Sequence, residues 1–251
     1  MPYRILFSNI GYAKGIDGSL RHHVGMFNRH FYCALPVQEQ VLAQIKATID
    51  TEKPDLCCFV EIDGGSLHTA RFNQIDALMD TEYRFHDIAG KYGHESWLSR
   101  MPFHEGKSNA FLARSEIPFD RLYFSHGTKR LIYRLALPGD VWVYFAHFSL
   151  QKKTRVKQLA EMRRLVDQTP GKVIILADFN VMDGFGELDQ LLKDSALRLL
   201  NKEDAHTFTF HKLSLALDLC ICSDGLAKKT GLKIIPQPFS DHAALLVEIQ
   251  D

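Results

Sequence analysis

The stretch Val173-Ile174-Ile175-Leu176-Ala177-Asp178-Phe179-Asn180 decides the fold. Five apolar residues in a row predict a buried strand. The run stops at a carboxylate, with a carboxamide two positions on. Residues i and i+2 of a strand point the same way, so Asp178 and Asn180 are delivered together to a sheet edge. Two small polar groups at the end of an apolar strand suit the handling of a water molecule or an oxyanion. Further along, Ser240-Asp241-His242 sets a carboxylate and an imidazole before a second apolar strand, residues 243–249. Together the two spots point to a hydrolytic site.

Outward from there, strands are expected over 3–8, 55–60, 109–113, 131–137, 141–148 and 216–222. Pro138-Gly139-Asp140 between two of them is a hairpin signal. Helical spacing of Val41, Leu42, Ile45 and Ile49 predicts a helix over 37–50, with Pro36 suiting its start. Residues 73–79 form a second helix, and Val156, Leu159, Met162 and Val166 mark the apolar face of a third over 154–166. Strands alternate with helices early and follow one another in the middle. Mixed sheets covered by helices accommodate both patterns, giving an α/β fold. No Pro/Gly/Ser-rich linker, repeat or low-complexity run divides the chain, so one domain over 1–251 is expected.

Composition sets limits on function. Of the 251 residues 46% are hydrophobic and 24% charged, the profile of an ordinary globular protein. No apolar run approaches the ~18 residues that a transmembrane helix requires, so no transmembrane segment is expected. The N-terminus enters a strand directly, without the features of a signal peptide. Cys57, Cys58, Cys220 and Cys222 lie in strand-like segments, where reduced core cysteines are expected, and Cys220-Ile221-Cys222 lacks the two-residue spacer of metal and redox motifs. A reducing cytoplasm and a monomer are the corresponding expectations. The formal net charge of zero argues against a protein that grips long duplexes through a basic footprint. The short basic runs at Lys129-Arg130 and at residues 152–157 read as solvated faces.

The polar residues recur at strand boundaries: Asn9, Glu61, His147, Asp178 with Asn180, Asp218, and Asp241 with His242. Each alone has a bland explanation, since an Asn can cap a turn and a core Asp can be satisfied internally. A repeated coincidence at nearly every boundary implies one shared rim. The chemistry that fits is metal-assisted attack of water on a phosphoester. Glu61, with Asn9 and Asp241, offers the oxygen ligands that a hard cation such as Mg²⁺ takes. Asp178 suits orientation or deprotonation of the water, and Asn180 suits holding that water or a phosphoryl oxygen. His242 suits binding or protonating a phosphoryl oxygen, with Asp218 fixing its tautomer, and His147 is a second donor to the transition state.

This order of residues resembles the endonuclease/exonuclease/phosphatase superfamily, the fold of deoxyribonuclease-like enzymes. The resemblance rests on Phe7-Ser8-Asn9, Val60-Glu61, Ser108-Asn109-Ala110-Phe111, Ala146-His147-Phe148, Arg155-Val156-Lys157-Gln158-Leu159, Asp178-Phe179-Asn180, Leu217-Asp218 and Ser240-Asp241-His242. Compact bacterial metal-dependent hydrolases of that superfamily are the nearest in look. The resemblance implies a four-layered α/β/β/α sandwich with the site where two mixed sheets meet. It also implies Mg²⁺ or Mn²⁺ as cofactor, and Asn109 and Arg155 as substrate-binding residues. Gly11 stands where some abasic-site nucleases carry an extra acid, and His147 where they carry Tyr, which favours the deoxyribonuclease and phosphatase-like branches. The substrate expected is a phosphoester, with nucleic acid, a small phosphodiester, an inositol phosphate and a lipid headgroup all open. A non-catalytic binding domain on the same fold is the alternative from another class. Two aromatic- and histidine-rich segments, residues 11–35 and 91–104, are expected in loops near the rim, either packing among themselves or forming a substrate-selecting wall. His22-His23 lacks the further ligands that a zinc site requires.

Overall fold

Strand alternation places the functional rim. The computed structural model describes residues 2–93, 96, 101–102 and 104–250. One six-stranded sheet runs in the order β13 (Thr230–Ile235), β14 (Ala244–Ile249), β1 (Tyr3–Asn9), β2 (Leu56–Asp63), β4 (Lys107–Ala113) and β3 (Phe85–Gly90). The other runs β5 (Phe119–Tyr123), β6 (Leu131–Leu137), β7 (Val141–His147), β8 (Lys172–Asp178), β12 (Asp218–Ser223) and β9 (Leu197–Leu199). A two-stranded ribbon, β10 (Phe208–Phe210) and β11 (Leu213–Leu215), stands apart from both. The helices are α1 (Leu20–Gly25), α2 (Leu35–Glu52), α3 (Gln74–Leu78), α4 (Lys152–Asp167), α5 (Asp189–Leu192) and α6 (Asp224–Ala227).

Three apolar clusters make the layers. Ile5, Phe7, Phe145, Ile174, Leu176 and Cys220 pack between the sheets. Their odd-and-even neighbours face outward: Leu6 and Cys57 against Val41, Leu42 and Ile45 of α2, and Ile175 and Ala177 against Leu159 and Met162 of α4. Burial on both faces explains why these strands read as unbroken apolar runs rather than alternating ones. The result is an α/β fold of two mixed sheets flanked by helices, a deoxyribonuclease-like sandwich. The cysteines are free and buried, and no helix of the described residues is long and apolar enough to cross a membrane.

Strand direction then gathers the polar residues. β1 and β2 are parallel, as are β7 and β8, so four strands end on one side. β14 runs antiparallel to β1, and β12 antiparallel to β8, so those two begin there. Asp218 is therefore the first residue of β12, paired in register with Asp178, the last of β8. Following the inward alternation one step past the core gives Ile5–Phe7–Asn9, Val143–Phe145–His147, Ile174–Leu176–Asp178 and Cys222–Cys220–Asp218. The rim is the open end of the inter-sheet core, where the same inward positions turn polar.

Several elements escaped the sequence reading. β3, β5, β9 and β13 are edge or near-edge strands with much exposed surface, and the β10–β11 ribbon is three residues a side. Within the 91–104 segment, His94, Glu95 and Trp97 lie outside the described residues. The 11–35 segment forms α1 and short 3₁₀ turns beside the rim. It is fixed to the ribbon at Gly18, whose carbonyl accepts from His211 N at 2.6 Å. Gly18 has φ +53°, and a Cβ there would meet the Thr209 carbonyl oxygen at 1.8 Å, so only glycine permits this approach.

Candidate active site

Asp178 sits at the bottom of a cavity of about 200 Å³ whose lining includes Asn9, Glu61, His147, Asn180, Asp241 and His242. Its Oδ2 accepts from Asn9 Nδ2 at 3.1 Å and lies 3.0 Å from His147 Nε2 and 4.0 Å from His242 Nε2. Its Oδ1 accepts from the Asn180 backbone N–H at 3.2 Å. Burial alone would raise the Asp178 pKa, but His147, His242 and Lys129 outweigh it and hold the carboxyl well below the usual range. Asn180 adopts φ 54° and donates from Nδ2 to the Phe148 carbonyl at 3.1 Å, which turns the chain end of β8 across the cavity. Asn is among the residues that tolerate this left-handed conformation.

Glu61 reaches the cavity by a different device. The β2–β4 register shifts between Phe59 and Ile62, and Glu61 has φ 55°. An extra residue in a strand re-aims its neighbours. Without the bulge Glu61 would alternate outward with Phe59, towards α2. Its Oε1 is 3.7 Å from Lys91 Nζ, 3.7 Å from His147 Nδ1 and 3.9 Å from Lys129 Nζ, none within hydrogen-bond reach. Burial raises its pKa, and Lys91, His147 and Lys129 more than reverse that, leaving the carboxylate ionised. Lys91 is itself pushed down to about 7, by burial first, with Glu61 opposing, and its ammonium touches the Tyr12 hydroxyl.

His242 is oriented by Asp218. Nδ1 lies 2.7 Å from Asp218 Oδ2, and the Phe208 ring packs 4.9 Å from the imidazole. Thr207 Oγ1 accepts from the backbone N–H of Asp218 at 2.8 Å, fixing the start of β12. Burial works against a charged His242, but Asp218 and then Asp178 outweigh it and raise its pKa to about 10. His242 is thus an imidazolium whose Nε2–H faces the cavity. His147 is the opposite case: burial, then Lys129, lowers it to about 4 against the pull of Asp178, so its ring is neutral.

Oxygen donors for a cation come from Asn9, Glu61 and Asp241, which line one cavity. Burial raises the Asp241 pKa, and nearby Glu61 adds to it although His242 opposes. Like charges facing one cavity suit a divalent cation, which removes their repulsion, and an all-oxygen set suits a hard one. Asn9 Oδ1 accepts from Gly11 N at 3.1 Å and keeps a second lone pair. Among the described residues, Asp178, Asp218 and His242 also place donor atoms within 4.8 Å of one another, close enough to hold a metal ion. In that second set His242 Nδ1 is already engaged by Asp218 Oδ2 at 2.7 Å, whereas the all-oxygen set suits a hard cation, so the oxygen set is the better match.

Two expected substrate-binding residues stand outside the cavity lining. Arg155 is 1% exposed. Its guanidinium meets Glu187 Oε2 at 2.5 Å and donates to the Ser149 and Leu150 carbonyls, each at 2.9 Å. It holds the loop after β7 rather than presenting charge to solvent. Arg155→Met is expected to cost about 3–5 kcal/mol of stability by stranding a buried Glu187, read as a shifted urea midpoint. Asn109 continues the inward face of β4 beyond Phe111, buried, with Oδ1 lacking a hydrogen-bond partner among the described residues. Conversely, Lys129 is no solvated-face residue: it lines the cavity and its ammonium meets His147 Nε2. It stands just before the apolar run 131–137, and that strand boundary was the available signal. Lys91 opens the 91–104 segment expected near the rim, but only the tertiary fold pairs it with Glu61.

Known proteins share this architecture. The family described as Endonuclease/Exonuclease/phosphatase matches residues 37–242. No curated protein matches the chain. Truncated TDP2 of Caenorhabditis elegans superposes with a TM-score of 0.65 at 15% identity, covering 100% of this chain and 98% of its own. TDP2 of D. rerio, complexed with single-strand DNA product, gives 0.65 at 14%, covering 100% and 99%. The Bacteroides thetaiotaomicron mannosyl-6-phosphatase Bt3783 gives 0.63 at 14%, covering 99% and 100%. At such identities the likeness is one of fold.

Proposed function

The chain belongs to the endonuclease/exonuclease/phosphatase family, and from that membership and the cavity chemistry we propose that it is a Mg²⁺- or Mn²⁺-dependent phosphodiester hydrolase. The observation that carries the reading is Asp178 Oδ2, an ionised acceptor ringed by Asn9, His147 and His242 at the cavity floor. Asn9, Glu61 and Asp241 would hold the cation, which supplies neutralisation of charge on the phosphoryl oxygens and the leaving group. Asp178 and Asn180 orient the attacking water, and Asp178 accepts its proton as the P–O bond forms. The His242 Nε2–H donates to a phosphoryl oxygen as charge builds, and Asp218 keeps that proton in place. Lys129 adds positive charge on the same wall. His147, neutral, shares the Asp178 oxygen and steadies it.

EDTA is expected to reduce hydrolysis of bis-p-nitrophenyl phosphate to background, with Mg²⁺ or Mn²⁺ restoring it. Undiminished turnover in excess chelator would remove the metal from the account. The binding energy should also register as thermal stabilisation, since a ligand at ~100 times its Kd adds about 2.7 kcal/mol to the folded state.

A further inference from the structure

We infer that the face around the cavity mouth docks on an anionic phospholipid bilayer, so that the phosphoester reaches the site from a membrane surface. The inference rests on the hydrolase reading for the reaction and names its substrate class, a phosphoester lipid headgroup.

Residues 18–35 contain Arg21, Arg29 and three histidines and no acidic residue. Neither α1 nor the following turn, Phe27–His30, buries a single residue. Leu20 and Val24, one helical turn apart, share a face of α1, and Val24 is 70% exposed, Phe27 60% and Phe31 63%. Isolated apolar residues on a surface are ordinary, but a contiguous patch marks an interaction site. This patch is contiguous: ring centroids run Phe210 to His23 at 4.7 Å, His23 to His30 at 5.9 Å, His30 to Phe27 at 5.8 Å and Phe27 to Phe31 at 5.5 Å. His23 and His30 line the catalytic cavity, and so does Leu150, itself 60% exposed. The apolar patch therefore borders the opening through which substrate enters.

Charge and shape choose the occupant. The one neighbouring acid, Asp17, is engaged by His22 Nδ1 at 2.9 Å. Exposed apolar side chains interleaved with cations are the composition of a segment that lies at a bilayer interface, where anionic headgroups attract the cations. A second copy or a protein partner seated here would cover the opening. A nucleic acid strand would stack bases on the rings, but Leu20, Val24 and Leu150 offer no π-face, and the net charge of zero supplies no basic track for a phosphate backbone.

The test is co-sedimentation of the full chain with vesicles of phosphatidylcholine alone and of equal parts phosphatidylcholine and phosphatidylglycerol. Wild type should pellet with the anionic vesicles. The double variant Val24→Glu, Phe31→Glu, at positions outside the cavity lining, should bind them at least about tenfold more weakly. It should hydrolyse soluble bis-p-nitrophenyl phosphate at the wild-type rate. Should the double variant misfold by circular dichroism, Phe31→Ser gives the same comparison. Wild type left in the supernatant, undiminished pelleting of a folded variant, or a loss confined to binding of a single-stranded oligonucleotide or to self-association would each overturn the docking. Vesicle binding without soluble turnover would overturn the hydrolase reading while supporting the docking surface.

Discussion

Asp178→Ala is expected to lower kcat on bis-p-nitrophenyl phosphate by about 10³- to 10⁴-fold, with the fold intact. The range is the upper end of what one positioned acid–base group contributes, because Asp178 also organises its neighbours. Its Oδ2 takes the Asn9 side chain and faces both histidines. Removing it unties Asn9, frees His147 and deletes the water's acceptor in one step. Asp178→Asn is the sharper variant: it keeps the shape but places an amide where a negative oxygen faces two rings. A change of KM alone, with kcat preserved, would show that Asp178 serves binding rather than the chemical step. An unaltered rate in every phosphoesterase assay would favour a non-catalytic domain on this fold. Such a domain has no need to bury an ionised carboxylate beside two imidazoles, the kind of perturbed cluster that gathers at functional sites.

His242→Ala should reduce kcat by about 10²- to 10³-fold, the loss typical of one preorganised donor to a developing oxyanion. The ring is preorganised in the strict sense: Asp218 holds Nδ1 at 2.7 Å, Phe208 covers one side, and the backbone N–H accepts no freedom, donating to Ser240 Oγ at 3.1 Å. Asp218→Asn should cost less than His242→Ala, because the imidazole stays in place but loses the carboxylate that keeps it charged. The double variant should be scarcely worse than His242→Ala, since the two act as one unit. Additive losses would mean that Asp218 works through another residue. Unchanged turnover in His242→Ala would remove the histidine from the mechanism.

The rim was legible in the sequence because strands have a fixed period. Once residues 173–177 are a strand, Asp178 follows on the inward face, and the same step from Phe7 to Asn9 and from Phe145 to His147 needs only the alternation. Asn180 lies past the strand's end, and a left-handed turn at φ 54°, not alternation, brings it to the cavity. Strand order was not required, since ends and beginnings of apolar runs mark the rim whichever way neighbours run. Glu61 was found for the wrong geometric reason: simple alternation from Phe59 would turn it outward, and a bulge turns it in. No local pattern in Val60-Glu61-Ile62 announces that bulge. Arg155 shows the opposite limit. A basic residue at a helix start reads as a surface charge, yet Glu187, thirty-two positions on, encloses it. Lys91 and Lys129 reach Glu61 only through the tertiary fold, and the edge strands β3, β5 and β13, half exposed, lack the apolar runs that reveal central strands.

The central claim is that water held by Asp178 attacks phosphorus. Turnover of bis-p-nitrophenyl phosphate with Mg²⁺ in ¹⁸O-labelled water, read by mass spectrometry, tests it directly. ¹⁸O is expected in the p-nitrophenyl phosphate, none in the nitrophenol, and no labelled product above background from Asp178→Ala. Label in the nitrophenol, or equal labelling of phosphate by wild type and Asp178→Ala, would contradict it.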